Sequence, residues 1–157
     1  MINNTSKKQL NTQYWLLKSE PDTYSIDDLC RERQTIWTGI RNYQARNFMR
    51  DMMKKGDLCL FYHSGKEKSI VGVAKVASSA YPDPTQFDAR NYSYDPKSTQ
   101  KDPIWFLVDI GFQSKLKEPI SLAEIKNDPE FMGMMLTRAT RLSIQPVSEK
   151  HFLALVR

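Results

Sequence analysis

The sequence predicts an α+β fold: a small, mostly antiparallel β-barrel of five to six strands, flanked by short helices. Three observations lead to this prediction. Several short segments are rich in aliphatic and aromatic side chains, which is typical of strands. The helical segments do not alternate regularly with them, which argues against a doubly wound parallel sheet. The length of 157 residues is that of one ordinary domain, which we expect to occupy residues 14–157.

The apolar segments predict strands at residues 14–18, 58–63, 69–81, 104–112 and 142–147. The second of these is almost continuously apolar, so we expect it to be a central strand buried on both faces. Gly72 indicates a bulge or a close approach of the backbone. Residues 81–103 contain several prolines and predict a long loop, with a short strand near residues 87–90.

Short helices are predicted after the capping residues Ser25, Ser121, Asp128 and Ser148. A further helix begins after Asn42 and ends near Gly56, because glycine is common just past a helix end. Apolar residues on this helix recur at i, i+3, i+4 and i+7, which predicts one face buried in the core, formed by Ala45, Phe48, Met49 and Met52.

Composition limits the class of protein. The net charge of +5 is compatible with a nucleic-acid partner, but basic proteins without one are common. Cys30 and Cys59 lack the spacing of a metal site, so we expect reduced core thiols, with a single disulfide as the alternative. Residues 1–13 are polar and predict a disordered tail without a signal peptide. No apolar run is long enough for a membrane span, and a cytoplasmic location is expected, or a nuclear one in a eukaryote.

The motifs of common enzyme classes are missing from the sequence: it has no nucleophile elbow, P-loop, dinucleotide fingerprint or HExxH. His63 and Ser64 are neighbours in a strand, so their side chains point to opposite faces. Lys18 and Glu20 share a face and offer an acid–base pair, although an exposed ion pair is the better explanation of the two residues. We therefore expect binding rather than catalysis, with no catalytic residue, cofactor or metal.

A binding interpretation uses more of the polar residues. Trp37 lies just before a helix start that carries arginines, and its ring offers a stacking surface for a base; a core tryptophan is the alternative. Base-edge contacts are available from Ser19, Asn42, Gln44 and His63. Phosphate contacts are available from Arg41, Arg46, Lys66 and Arg141. A solvated helix face is an equally good explanation of Arg46 and Arg50.

Residues 14–21 (YWLLKSEP), 37–47 (WTGIRNYQARN) and 60–64 (LFYHS) resemble the EVE domain family, as do residues 70–72 and 141–147. The resemblance implies a PUA-like β-barrel that binds nucleic acid and recognises a modified base, with modified cytosine in DNA expected and RNA left open. It implies no metal or catalytic group, and we expect a monomer. The base pocket is then expected to include Lys18, Ser19, Glu20, Trp37, Gly39, Arg41, Asn42, Gln44, Tyr62, His63 and Ser64, with Arg46, Lys66 and Arg141 on the backbone phosphates.

Two other functions compete with this prediction. The ASCH branch of the same superfamily suggests an enzyme acting on RNA or on a small amide or ester, which would need Lys18, Glu20 and His63 to converge. A protein-interaction adaptor would use the methionine-rich face at residues 131–136, although methionines at helical spacing more often fill a core.

Overall fold

A computed structural model describes residues 11–139 and 141–156. Along the chain the strands are β1 Tyr14–Ser19, β2 Gln34–Ile36, β3 Leu58–His63, β4 Ser69–Val76, β5 Tyr81–Pro82, β6 Phe106–Leu107, β7 Asp109–Ser121 and β8 Ile144–Val147. The α-helices are α1 Ile26–Glu32, α2 Tyr43–Asn47, α3 Leu122–Asn127 and α4 Glu149–Leu155. A π-helical turn at Phe48–Met52 follows α2, and 3₁₀ turns lie at Pro84–Phe87, Pro129–Phe131 and Met135–Thr137.

Six strands form one curled sheet in the order β2-β7-β4-β3-β1-β8, and β5 pairs with β6 in a separate ribbon. This count covers the described part of the chain. β1 runs parallel to β3, whereas the other pairs within that part are antiparallel. The predicted α+β fold with a mostly antiparallel sheet and short helices is confirmed. The parallel pair brings the carboxyl ends of two strands to one edge, where Ser19 lies beside His63.

Each face of the sheet carries a hydrophobic core. Side chains alternate along each strand, so Trp15, Leu17 and Phe61 pack under α1 and α2. Leu16 and Leu60 pack on the opposite face, against α3 and α4. The prediction that β3 is a central strand buried on both faces is therefore confirmed.

The strands differ from the predictions at four places. The strand predicted at residues 69–81 ends at Val76, and Tyr81 begins the separate strand β5. β2 was not predicted, because it is a short edge strand with a mostly polar sequence. Residues 104–112 do not form one strand. The chain leaves the β5–β6 ribbon at Val108, whose carbonyl accepts a hydrogen bond from the Trp37 amide (3.1 Å), and enters β7. The strand predicted near residues 87–90 is wrong, because a 3₁₀ turn capped by Asp83 occupies Pro84–Phe87.

Gly72 marks the predicted close approach. The register of β4 against β7 shifts between Ile70 and Gly72, which is a bulge. A Cβ atom at Gly72 would lie 2.7 Å from Ile26 Cδ1 and 2.8 Å from the Ser114 carbonyl oxygen. Only glycine therefore lets α1 pack this closely on the sheet.

Helix starts follow the predicted caps. Ser25 and Ser121 each form a complete capping box, with Asp28 and Glu124 as the third helical residues. Asp128 and Ser148 cap the next two elements as expected. Gly56 lies further from its helix than predicted, in the turn before β3, with a left-handed φ of 98°. In residues 11–139 and 141–156, no helix has the length and apolar character of a membrane span.

The π-helical turn at Phe48–Met52 changes which methionine is buried. The Met53 amide donates to the Phe48 carbonyl (2.8 Å), an i→i+5 bond that adds one residue to the turn. The inward face therefore continues from Met49 to Met53, which is 5% exposed, whereas Met52 is 45% exposed. The assignment of Met52 to the core is wrong for this reason.

We expect Met53→Ala to lower the free energy of unfolding by about 2–4 kcal/mol, because it leaves a cavity in the core. Met52→Ala removes an equal side chain from the surface, and its effect should stay within about 0.5 kcal/mol. Urea unfolding of the two variants measures both values. A larger loss from Met52→Ala would contradict the register that the π turn sets.

Candidate functional site

A cleft of about 440 Å³ opens where β1 ends and faces β2. Three strands separate β1 from β2 in the sheet order, so the two meet only because the sheet curls. We call this cavity the β1–β2 cleft. It is lined by Lys18, Ser19, Glu20, Thr23, Tyr24, Thr35, Ile36, Trp37, Thr38 and Ile40. Four predicted site residues therefore lie together here, namely Lys18, Ser19, Glu20 and Trp37.

Trp37 is both a core residue and a wall of the cleft. Only 8% of it is exposed. Its ring meets Tyr24 edge to face at 6.2 Å between centroids, and Phe61 at 5.8 Å. The core interpretation of Trp37 therefore applies, while its stacking on a base stays a prediction.

Tyr24 is a wall residue that sequence reasoning missed. Its hydroxyl donates to Glu32 Oε2 (2.6 Å), and its carbonyl accepts from Ser19 Oγ (2.5 Å). Burial, together with the hydrogen bond to Glu32, raises the pKa of Tyr24 to about 12, so the phenol stays neutral near pH 7. The backbone and the hydroxyl of Tyr24 are thus both held within the protein. An aromatic residue directly after the polar end of β1 was the available signal.

Lys18 and Glu20 supply opposite charges at the carboxyl end of β1. Lys18 Nζ donates to the Ala139 carbonyl (3.1 Å) and lies 5.9 Å from the centre of the Tyr62 ring. Burial lowers the pKa of Lys18. Glu20 is exposed, and its carbonyl accepts hydrogen bonds from the Thr23 and Tyr24 amides, which fold the loop back over the cleft.

Residues 13–157 match the EVE domain family. The chain belongs to this family. It is 43% identical to thymocyte nuclear protein 1 of Gallus gallus, covering 88% of this chain and 65% of that protein. The human protein is 41% identical, with 90% of this chain and 71% of that protein covered. The chain thus spans less than two thirds of the length of the chicken relative.

Solved structures of relatives share the fold. Human THYN1 in complex with 5-methylcytosine-containing DNA is 40% identical, with a TM-score of 0.87 over 92% of this chain and 96% of that one. A hypothetical protein from Leishmania major is 42% identical, with a TM-score of 0.88 over 94% of each chain. The PUA-like fold implied by the resemblance is confirmed. An ASCH protein from Zymomonas mobilis is similar in fold alone, with 12% identity and a TM-score of 0.51.

Three other predicted residues of this EVE domain lie outside the β1–β2 cleft. Tyr62 and Ser64 line a separate cavity of about 250 Å³. His63 is buried, and its Nε2 accepts from the Ile26 amide (3.0 Å) at the start of α1. Its Nδ1 therefore carries the proton of the neutral ring and donates to Glu67 Oε2 (2.7 Å). His63 thus joins the end of β3 to the start of α1.

Gly39 holds the loop of the EVE domain that follows Trp37. Its φ of 84° is left-handed, a conformation that favours glycine. Its amide donates to Asp83 Oδ2 (2.8 Å), and the Asp83 side chain is buried. Gly39 therefore shapes this loop rather than lining the cleft.

Arg41 uses its hydrogen-bonding capacity within the protein. A guanidinium has five N–H donors, and the acceptors in the structure are the Ser93 carbonyl twice, the Ile40 carbonyl, Asp83 and Thr85. Its guanidinium also lies 5.3 Å from the centre of the Trp105 ring. In this conformation no donor is left for a base edge. The β5–β6 region is thereby tied to the loop that forms one side of the cleft.

The remaining predicted residues of the EVE domain are spread over its surface. Asn42 caps α2 through its side-chain oxygen, which accepts from the Ala45 amide (2.9 Å). Arg46 donates to the Ile104 carbonyl (2.9 Å) and lies 4.8 Å from the centre of the Tyr43 ring. Exposed side chains are found at Gln44, Lys66 and Arg141. The structure does not bring these residues to the β1–β2 cleft.

The two cysteines do not form a disulfide with each other. Cys30 and Cys59 are free thiols. Cys59 is buried and Cys30 half-buried, and burial raises the pKa of Cys59. Across residues 11–139 and 141–156, no group of three or more His, Cys, Asp and Glu side chains is arranged to hold a metal ion. The tail predicted at residues 1–13 lies mostly outside the described residues, although Gln13 hydrogen-bonds to Asp57.

Proposed function

We propose that this EVE domain binds DNA carrying a modified cytosine and holds that base, flipped out of its strand, in the β1–β2 cleft. The observation that carries the proposal is its 40% identity to human THYN1, whose structure contains 5-methylcytosine DNA. The aromatic wall of the cleft supports it, because flipped bases are held by stacking and by hydrogen bonds to the Watson–Crick edge.

The polar end of β1 complements the edge of cytosine. Cytosine has an amino donor at N4 and acceptors at N3 and O2. The Glu20 carboxylate is suited to accept from N4, and the Lys18 ammonium is suited to donate to the acceptors. Because Lys18 is partly desolvated, a hydrogen bond from it is stronger than one made in bulk water.

An apolar side of the cleft complements a methyl group on the base. Ile36 lies on β2, Ile40 lies in the following loop, and both line the cleft beside Trp37. Ile36 is 46% exposed, so a ligand has apolar surface to cover there. Covering a methyl group against it is favourable by about 1 kcal/mol, which corresponds to roughly fivefold in affinity.

Phosphate contacts supply the remaining affinity. The net charge of +5 favours a polyanion. Arg46, Lys66 and Arg141 stay assigned to the backbone in this proposal, and each has a partly or fully exposed side chain. DNA is favoured over RNA because DNA is the ligand of human THYN1. The name of the vertebrate relatives supports a nuclear location in a eukaryote.

We expect Ile36→Ala to reduce the preference for 5-methylcytosine over cytosine by about fivefold, because the methyl group loses its apolar contact. Fluorescence anisotropy with matched DNA and RNA oligonucleotides, methylated and unmethylated, measures this preference. Leu153→Ala is the matched control, since Leu153 on α4 is 52% exposed and outside the cleft.

A preference that Ile36→Ala leaves at the wild-type value would remove the cleft from the proposal. A wild-type protein that binds both forms equally would contradict modified-base recognition itself. Preference for the RNA oligonucleotide would move the proposal from DNA to RNA.

An ASCH-like enzyme is the competing hypothesis. The observation in its favour is that Lys18, with its lowered pKa, and Glu20 line the same cleft. His63, the third candidate, is instead bound to the start of α1. Cleavage of RNA by the wild type that Lys18→Ala abolishes would support the enzyme and displace the binding proposal.

A further inference from the structure

A second cavity, of about 250 Å³, shares Lys18 with the β1–β2 cleft. Three lysines line it, and we call it the lysine pocket after them: Lys18, Lys68 and Lys126. Tyr62 forms a wall beside Lys18, because the two residues are paired in the parallel register of β1 and β3. Lys18 is therefore a wall of both the proposed base site and this second cavity.

The backbone holds two of the lysines at the pocket. Lys68 has a φ of 45°, in the left-handed region that is uncommon for residues with a side chain. Its carbonyl accepts a hydrogen bond from the Leu122 amide (2.8 Å) at the start of α3. Lys126 follows Leu122 by four positions, so both side chains lie on one face of α3. This hydrogen bond joins the β3–β4 turn to α3 and places Lys68 of the turn and Lys126 of the helix at the same cavity.

The charged side chains that line the pocket are all positive, and none of the described residues lining it is acidic. One carboxylate lies at its edge, since a Cβ atom at Gly65 would be 3.5 Å from Glu20 Oε1. Within residues 11–139 and 141–156, neither Lys68 nor Lys126 forms an ion pair. Lys126 also suits the carboxyl end of α3, where a cation is favourable, but that does not explain Lys68. Ammonium groups gathered around a concave site favour an anion.

The apolar part of the pocket limits the kind of anion. Leu122 and Leu136 line it together with the Tyr62 ring. A ligand with an anionic group and a less polar body matches such a lining better than a bare inorganic ion. A sugar phosphate has both parts.

We propose that the lysine pocket binds the phosphate ester next to the base held in the β1–β2 cleft, with Lys18 between base and phosphate. This inference rests on the proposed function. The same chemistry is offered by a phosphodiester within a DNA strand and by the 5′-phosphate of a free nucleotide. The two sources are separated by experiment.

The first experiment measures DNA affinity at several salt concentrations for Lys68→Gln and Lys126→Gln. Each variant should bind about three- to fivefold more weakly at low salt, and its slope of log affinity against log salt should fall by about 0.7–0.9. Lys55→Gln is the matched control, because Lys55 is exposed in the turn at the opposite end of β3. Thermal unfolding checks that all three variants are folded.

The second experiment compares 5-methyldeoxycytidine with its 5′-monophosphate by calorimetry. The monophosphate should bind the wild type about three- to fivefold more tightly, and both pocket variants should lose this advantage. If the pocket variants weaken the binding of DNA but the monophosphate binds the wild type no more tightly than the nucleoside, the pocket binds a phosphodiester within a strand.

The inference is overturned if Lys68→Gln and Lys126→Gln have the same salt slope as Lys55→Gln. The preference for the monophosphate over the nucleoside must then also be the same in all three variants. The proposed function fails separately, if the wild type does not distinguish methylated from unmethylated DNA. Reduced slopes together with no methyl preference would keep the phosphate site and reject modified-base recognition.

Discussion

Replacing Asp83 with alanine is expected to lower the free energy of unfolding by about 3–5 kcal/mol, the usual cost of removing one partner of a buried ion pair. The Asp83 side chain is 1% exposed. It accepts hydrogen bonds from Arg41 (3.1 Å), the Gly39 amide (2.8 Å), and the amide and hydroxyl of Thr85 (2.8 and 2.6 Å). Alanine would leave the Gly39 amide without its acceptor and remove the one carboxylate that pairs with the Arg41 guanidinium among the described residues.

The same substitution should also weaken DNA binding. Asp83 and Arg41 hold the loop that carries Thr38 and Ile40, which line the β1–β2 cleft. Chemical unfolding and anisotropy measure the two effects. Asp88→Ala is the matched control in the same segment, since Asp88 is exposed and its side chain accepts only from the Arg90 amide among the described contacts. We expect it to change stability by about 0.5 kcal/mol or less.

The contribution of Asp83 to the free energy of unfolding should depend on pH. Burial alone would raise the pKa of Asp83, but hydrogen bonds from Thr85, Gly39 and Arg41 outweigh it and hold the pKa below 3.8. A carboxyl with a depressed folded-state pKa stabilises the protein above its unfolded pKa, and loses that contribution as pH falls through the folded value. The stability difference between wild type and Asp83→Asn should therefore be constant near neutrality and shrink below pH 3.8. A difference that grows on acidification would contradict this assignment.

Trp37→Ala should lower the free energy of unfolding by about 3–5 kcal/mol, because a large core side chain is removed. Lost binding in this variant would therefore not identify a base contact. Trp37→Phe is the sharper test, since it keeps an aromatic ring next to Tyr24 and Phe61. We expect a loss of about 1–2 kcal/mol in stability and about tenfold in affinity for methylated DNA, within the range measured for base stacking.

Urea unfolding and anisotropy on the same preparation of Trp37→Phe separate the two effects. Unchanged affinity and unchanged methyl preference in the folded variant would limit Trp37 to the core. Affinity that falls about tenfold while the variant stays folded would support a direct contact with the base.

Local signals in the sequence predicted local structure well. The serine caps and the apolar strands depend on neighbouring residues, and Ser25 and β3 are found as expected. The expected base pocket includes three residues at the end of β1, and their function as a site stays a prediction. Lys18, Ser19 and Glu20 do line one cleft.

Contacts between distant segments could not be predicted in this way. The sequence shows that Arg41 and His63 have polar side chains, but their acceptors and donors, Asp83 and Ile26, are set by the tertiary fold. Tyr24 becomes a wall only because the curled sheet brings β2 to β1. The π turn adds one residue and buries Met53 in place of Met52. The spacing of the apolar residues does not predict this turn.

The curl of the sheet also has a consequence for how the protein folds. β1 meets β3 through pairs such as Tyr14 with Leu58, whereas β2 meets β7 through pairs such as Gln34 with Gly111. Contacts between residues so far apart in sequence require large loops to close and therefore form slowly. The β1–β2 cleft needs both pairings, so it is complete only after both have formed. Ligand binding during refolding would thus report the formation of these long-range pairings.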